Sequence, residues 1–365
     1  VTSSVEPGAP RRRRLSLTRQ TWAALASALC FVILALLIAL VPVPYVVYSK
    51  GRAYDVLGTR ADGRPLLDIT GVPTYPTTGQ LDMTTVSVTR SDAATSLPEA
   101  ILAYWLPRRD ALPRDSVYER GKTSEQVRTE ERQMMDTSQQ DAVVAALRAA
   151  NQPVTEMAVV SAVTVSGPAN GRLRPGDLFL SVDGLPVRTP DDVRRVVQRR
   201  SPGDVVKLQV LRDRVEQRVD VTTTPSRREP KIPVLGVDIG IGYRYEPQVD
   251  FGVSADIGGP SAGLVFALGI YDRITPGDLM QGREVAGTGT ITASGSVGPI
   301  GGIQEKIAGA EEAGASVFIV PAANCRDLTG LQTRLNLIRA ASLTEAVDGL
   351  RAAADPATAA SVPRC

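Results

Sequence analysis

Residues 258–263 read Gly258-Gly259-Pro260-Ser261-Ala262-Gly263. Residues 295–306 read Gly295-Ser296-Val297-Gly298-Pro299-Ile300-Gly301-Gly302-Ile303-Gln304-Glu305-Lys306. Before the first stretch, Val249, Phe251, Val253 and Ala255 alternate as a half-buried strand, and after it Leu264 to Tyr271 continue as a helix. That order places Ser261 at a helix N-terminus, reached through a glycine turn. Free N–H groups and the positive dipole end there suit a developing oxyanion. Serine is also a favoured N-terminal capping residue, so the local sequence leaves both roles open. In the second stretch a helix follows Gly301-Gly302, with Ile303, Ile307, Ala310 and Ala313 on one stripe and Lys306 on that same stripe. Gln304, Glu305, Glu311 and Glu312 take the polar sides. A lysine on a buried face costs desolvation unless it is neutral or paired, and burial lowers its pKa. A lowered pKa is what an amine needs to act as general base toward a serine hydroxyl. The alternative is a lysine that snorkels to water past the helix end.

Composition narrows the chemistry from the other side. The chain has 365 residues, 43% hydrophobic and 22% charged, and no histidine. Serine or cysteine nucleophiles activated by imidazole are therefore excluded, as is any zinc site with imidazole ligands. Three scattered cysteines without a C-x-x-C pair exclude a Cys-rich structural zinc site. No cofactor and no metal is expected. Only five of the 41 basic residues are lysine, namely Lys50, Lys122, Lys207, Lys231 and Lys306, and none stands three positions after a serine. Net charge is +2, concentrated at the N-terminus, so no nucleic-acid surface is expected. Gly121-Lys122-Thr123 lacks the preceding glycine of a phosphate loop, because that place is Ser116. Asp136-Thr137-Ser138 lacks the glycine of an aspartic protease, and both tripeptides read as solvated helix surface.

Residues 232–350 resemble the proteolytic domain of Lon-type serine proteases. The resemblance rests on Gly-Pro-Ser-Ala-Gly at 259–263, Thr288-Gly289, Gly295 to Ile303, Glu305-Lys306 and Val320-Pro-Ala-Ala-Asn324. It implies that Ser261 is the nucleophile and Lys306 its base, with Thr288 helping to place the amine, Gly259 supporting the turn and the Ser261 N–H serving as an oxyanion donor. One departure stands out. Many Lon enzymes carry an acidic residue just before Gly-Pro-Ser, where this chain has Gly258, with Asp256 further back; Thr290 stands where glutamate is frequent. Lon-like domains commonly assemble into rings, so a homo-oligomer is implied by resemblance.

Residues 154–224 read as a small β-rich module. Ala158 to Val165 is a buried-type strand, followed by Ser166-Gly167-Pro168-Ala169, the turn Arg174-Pro175-Gly176-Asp177, the strand Leu178 to Val182 and the turn Asp183-Gly184. A short helix from Asp191 carries Val193, Val196 and Val197 on one face, and a hairpin closes around Arg212-Asp213-Arg214. The order and wording resemble a bacterial PDZ domain, which implies an extended peptide added between a sheet edge and the helix with Val193 and Val197. Those valines are equally explained as core.

From Gln20 to Ser49 no side chain is charged. The apolar run Trp22 to Val41 would span roughly 30 Å as a helix at ~1.5 Å per residue, which matches a bilayer core. Arg11, Arg12, Arg13, Arg14 and Arg19 precede it, so the positive-inside rule leaves the N-terminus cytoplasmic and the rest outside. A cleaved signal peptide is the alternative, but the run is long and Val-Pro-Val-Pro-Tyr follows instead of a small-x-small site. Tyr45 and Tyr48 would sit at the outer interface. Cys325 and Cys365 would then lie where disulfides persist; a bridge closing about 40 residues would contribute roughly 4 kcal/mol in a chain-entropy treatment. Two free thiols remain the alternative.

The expected architecture is α+β. It comprises a basic cytoplasmic tail (1–20), a transmembrane helix (21–43), an extracytoplasmic α+β linker region (44–122), a PDZ-like domain with a preceding helix (123–225), a Lon-like α/β domain (232–350) and a tail (351–365). Taken together, anchor, PDZ module and proteolytic domain resemble the membrane-bound, ATPase-free Lon-like proteases of Gram-positive bacteria. This implies an energy-independent serine endopeptidase acting on unfolded or exposed polypeptides at the membrane. The competing expectation is an inactive, membrane-tethered PDZ scaffold.

Overall fold

The computed structural model describes residues 18–60, 62–254 and 256–365. Arg11 to Arg14 and Ala255 lie outside the described residues. In chain order the elements begin with α1 (Arg19–Leu40), β1 (Tyr45–Asp55), β2 (Leu67–Thr70), β3 (Gln80–Val88), α2 (Leu97–Trp105), β4 (Asp110–Pro113) and α3 (Ser124–Ala149). The central part supplies β5 (Thr155–Val163), β6 (Leu178–Val182), α4 (Pro190–Val197), β7 (Val205–Arg212), β8 (Val215–Thr222) and β9 (Val237–Arg244). The last part supplies β10 (Gln248–Phe251), α5 (Gly263–Ile274), β11 (Glu284–Gly287), α6 (Ile303–Ala313), β12 (Val317–Pro321), β13 (Asn336–Ala340) and α7 (Leu343–Ala354).

The chain forms two compact units, residues 1–49 with 87–127, and residues 50–86 with 128–365. In the first, α1 is long and apolar enough to cross a membrane and buries none of its residues. Thr18 caps it by accepting from the Thr21 N–H. Where α1 ends, Pro42 and Val43 pair with Ser96 and Thr95, and Ser96 then caps α2 through the Glu99 N–H. Tyr45 to Tyr48 pair with Pro113 to Asp110. Thr123 and Gln126 exchange side-chain to backbone bonds at the start of α3, a capping box that accounts for the threonine of the Gly-Lys-Thr tripeptide.

The second unit holds two cores. In one, β11 pairs in parallel with β12 and β3, and β12 with β13. Side chains alternate across this sheet as a strand's two-residue period requires. Val285, Val317 and Ile319 face a core with Leu264 to Ile270 of α5 and Ala346, Val347 and Leu350 of α7, while Ala286, Phe318 and Val320 face Ile303, Ile307 and Ala310 of α6. Helices on both faces explain why β12 is buried along its whole length. The other core belongs to an antiparallel sheet in the order β8-β7-β6-β5-β9, with α4 supplying Val193, Val196 and Val197. The β7–β8 hairpin turns through Asp213 and Arg214, both at positive φ, as a tight two-residue turn of right-handed twist demands. Asp177 and Arg212 form a buried ion pair at 2.7 Å within this module.

Three segments pack across the expected divisions. Val237–Arg244, expected in the proteolytic part, pairs with β5 and completes the β-rich sheet. The helix expected to precede the β-rich module packs Met135, Ala142, Val143 and Ala145 to Leu147 into the core around α5. Part of the expected linker region also contributes to that core, through Leu67, Leu81 and Met83. The tail is likewise tied down. Arg339 N–H donates to the Pro363 carbonyl, Val362 is buried, and Cys325 is bonded to Cys365 with a Cα–Cα distance of 5.1 Å.

Candidate active site

Ser261 lies just before α5, whose N-cap is Ala262. The capping role is therefore not the one Ser261 plays. Its hydroxyl instead faces Lys306, with Nζ 2.7 Å from Ser261 Oγ and 2.9 Å from Thr288 Oγ1. Lys306 is 1% exposed and Thr288 fully buried, so the amine does not snorkel to water. Desolvation pushes the Lys306 pKa down to about 7 from its ordinary 10.5. The structure thus brings all three polar groups into one hydrogen-bonded cluster.

The single hydroxyl proton of Thr288 sets the direction of this cluster. Thr288 Oγ1 lies 3.0 Å from the Ser261 carbonyl oxygen, which can only accept, so the threonine donates there. Its own oxygen must then accept from Lys306, leaving the lone pair of a neutral amine for the serine hydroxyl. The Gly289 N–H also donates to the Ser261 carbonyl at 2.8 Å, and Leu264 N–H to the Gly289 carbonyl at 3.0 Å. These bonds hold the serine by its backbone. The N–H groups of Ser261 and Ala262 find no acceptor among the described residues.

Gly259 adopts φ +84°, a left-handed conformation that favours glycine, and its N–H donates to the Glu131 carbonyl at 3.0 Å. Ser138, expected on a solvated surface, is buried and donates to the Pro260 carbonyl at 2.9 Å. Helix α3 therefore buttresses the serine loop from behind. It also bears on the missing acidic residue, because a Cβ added at Gly258 would come within 2.8 Å of the Glu131 Cβ. The Glu131 carboxyl occupies that neighbourhood instead, with its pKa raised by burial. Thr290 sits opposite Gly298 in a short two-stranded ladder.

Asn324 holds the loop that leads into α6. The Asn324 side chain accepts from Ile300 N–H and donates to the Ile300 carbonyl, each at 3.0 Å, and donates to Asp327 at 2.8 Å. These two hydrogen bonds to the loop fix the entry to α6. Along α6 itself Ile303, Lys306, Ile307 and Ala310 are buried as expected. Glu305, expected on the polar side, is buried as well, while Ala313 is exposed.

Residues 253–350 match the Lon protease (S16) C-terminal proteolytic domain, and residues 133–223 match the PDZ domain. The chain carries a Lon-type proteolytic domain and a PDZ domain. It is 36% identical over 124 residues to "Lon protease 2" of Herpetosiphon aurantiacus, covering 33% of this chain and 14% of that protein. It is 26% identical over 193 residues to "Lon protease 2" of Bacillus subtilis, covering 53% of this chain and 33% of that protein. The chain thus spans a third or less of the length of these relatives. The PDZ domain of an SdrC-like protein from Listeria monocytogenes aligns with 21% identity and a TM-score of 0.21, over 23% of this chain and 86% of that one.

The PDZ domain carries a groove of about 400 Å³ lined by Val193 and Val197 of α4 and by residues 232–239. Both valines also belong to the module's core. β9 pairs on one side with β5 and lies at the end of the sheet's strand order.

Proposed function

We propose that the chain is an ATP-independent serine endopeptidase in which Ser261 is the nucleophile and Lys306 the general base. The observation that carries this reading is the contact of a buried amine, pKa about 7, with the Ser261 hydroxyl at 2.7 Å. The neutral amine takes the hydroxyl proton as Oγ attacks the scissile carbonyl carbon. The N–H groups preceding α5 face the oxyanion that forms. Collapse of the tetrahedral intermediate breaks the C–N bond, and the Lys306 ammonium returns the proton to the leaving amine. Water then hydrolyses the acyl-enzyme, with Lys306 accepting its proton.

Substrates in this reading are unfolded, extended or loop-exposed polypeptides. The groove beside α4 takes an extended segment as a further strand along β9 and delivers it to the peptidase. Helix α1 anchors the chain in a membrane with the peptidase outside, and the subunits assemble with copies of themselves.

The test compares cleavage of an unfolded protein by the full chain with cleavage by Ser261→Ala and Lys306→Ala. Loss of turnover in both, with peptide binding retained, supports the reading. Turnover undiminished in both refutes it, and peptide binding without any turnover in the unsubstituted chain would favour the scaffold.

A further inference from the structure

The unit containing α1 displays apolar side chains that the peptidase reading does not use. Helix α2 carries one charged side chain, Glu99 in its first turn. Ala100 and Ala103 are its buried residues, whereas Ile101, Leu102, Tyr104, Trp105 and the following Leu106 are exposed. Tyr104 and Trp105 are 77% and 76% exposed, which is unusual for large rings and marks a contact surface.

The position of this helix identifies the contact. The Leu97 N–H, at the start of α2, donates to the Val41 carbonyl directly after α1, and α2 packs beside α1. Nine residues at ~1.5 Å rise put the tip of α2 within about 14 Å of its start. Tyr45, on the strand leaving α1, is exposed, and Arg109 is exposed just beyond the α2 tip in sequence. Tyrosine and tryptophan rings with an adjacent arginine are the chemistry of a headgroup boundary, where rings bury their apolar body and guanidinium groups meet phosphate.

We propose that the tip of α2, centred on Tyr104, Trp105 and Leu106, inserts into the outer leaflet of the bilayer that α1 spans, as a second membrane contact. The proposal rests on the reading of α1 as a spanning helix. It gives the exit of α1 two points of attachment, so this unit is held at a defined tilt on the membrane surface.

The chain contains two tryptophans, Trp22 and Trp105, so Trp22→Phe leaves a single reporter. The full-length Trp22→Phe chain is reconstituted into vesicles of phosphatidylcholine and phosphatidylglycerol carrying bromine either near the headgroup or deep in the acyl chains. Circular dichroism checks that its fold matches the unsubstituted chain. The expected result is a blue-shifted emission, lost more in the shallow-bromine vesicles than in the deep ones. Emission that bromine leaves intact and iodide quenches freely overturns the proposal, and retention of the chain in the vesicle pellet at alkaline pH then shows that the α1 reading survives. Emission shielded from both quenchers assigns the surface to a second copy and overturns it too. Release of the chain at alkaline pH removes the α1 reading and this proposal together.

Discussion

Lys306 is buried with its amine against the hydroxyls of Ser261 and Thr288. Its folded-state pKa, about 7, lies below the ordinary 10.5, so the unfolded chain binds its proton more tightly. Catalysis needs the neutral amine, and kcat should therefore rise as pH increases through about 7, a profile measurable with an unfolded substrate. Stability carries the same signature. The cost of burying the amine is full below about pH 7 and fades as pH rises toward 10.5, at about 1.4 kcal/mol per tenfold change in proton affinity. Lys306→Met should abolish turnover yet raise the melting temperature by several degrees at pH 6, and by less at pH 10. A second expectation concerns Gly258. Restoring an acid with Gly258→Asp brings its Cβ against Glu131, so it should lower activity by about tenfold or more unless α3 shifts. The comparison with Gly258→Asp in a Glu131→Gly background measures whether relief of that contact restores the rate.

Among the elements, Asn324 joins two that flank the site. It links the short helix holding Cys325 to the loop that launches α6, through two bonds to Ile300. Asn324→Leu leaves the Ile300 N–H and carbonyl without those partners, at a cost of about 1–3 kcal/mol for each buried group left unsatisfied. Chemical denaturation should register that loss. kcat should fall while KM for a short peptide changes little, because the entry to α6 moves the amine. Locally the sequence offered a glycine turn before Ser261 and a cation on the apolar stripe of α6, each with an open alternative, while Thr288 and the joining of all three came only from the family resemblance. Glu131 and Ser138 were not legible, since they reach the serine loop from a polar helix more than 100 residues earlier, and no periodicity encodes that packing. β9 misled for a related reason. It lies within the range 232–350 expected for the last domain, yet its backbone groups are satisfied by pairing with β5.

Within the unit that holds both domains, Arg148 ties the PDZ sheet to the peptidase and Arg214 holds the segment that joins them. Arg148, near the end of α3, donates to the Ala293 carbonyl at 2.9 Å, pairs with Glu156 of β5 at 2.7 Å and lies over the Tyr243 ring of β9. Arg214, in the β7–β8 turn, donates to the carbonyls of Glu246 and Pro247 at 2.8 Å each. Arg148→Met together with Arg214→Met should leave hydrolysis of a short peptide within about twofold and slow cleavage of an unfolded protein several-fold, because exposed ties add little stability but fix orientation. Equal slowing of both substrates would mean that these arginines act on the peptidase itself.

Holding Ser261 by its carbonyl rather than its hydroxyl has a further consequence. The side-chain oxygen can be exchanged for sulfur without removing a bond that shapes the turn. Cys30 is the free thiol among the described residues, since Cys325 and Cys365 are joined. In a Cys30→Ala chain, Ser261→Cys would install a lone thiol against the Lys306 amine. Proton transfer from sulfur to nitrogen would create a thiolate at neutral pH, and its alkylation rate would report the amine's basicity directly, with no substrate present.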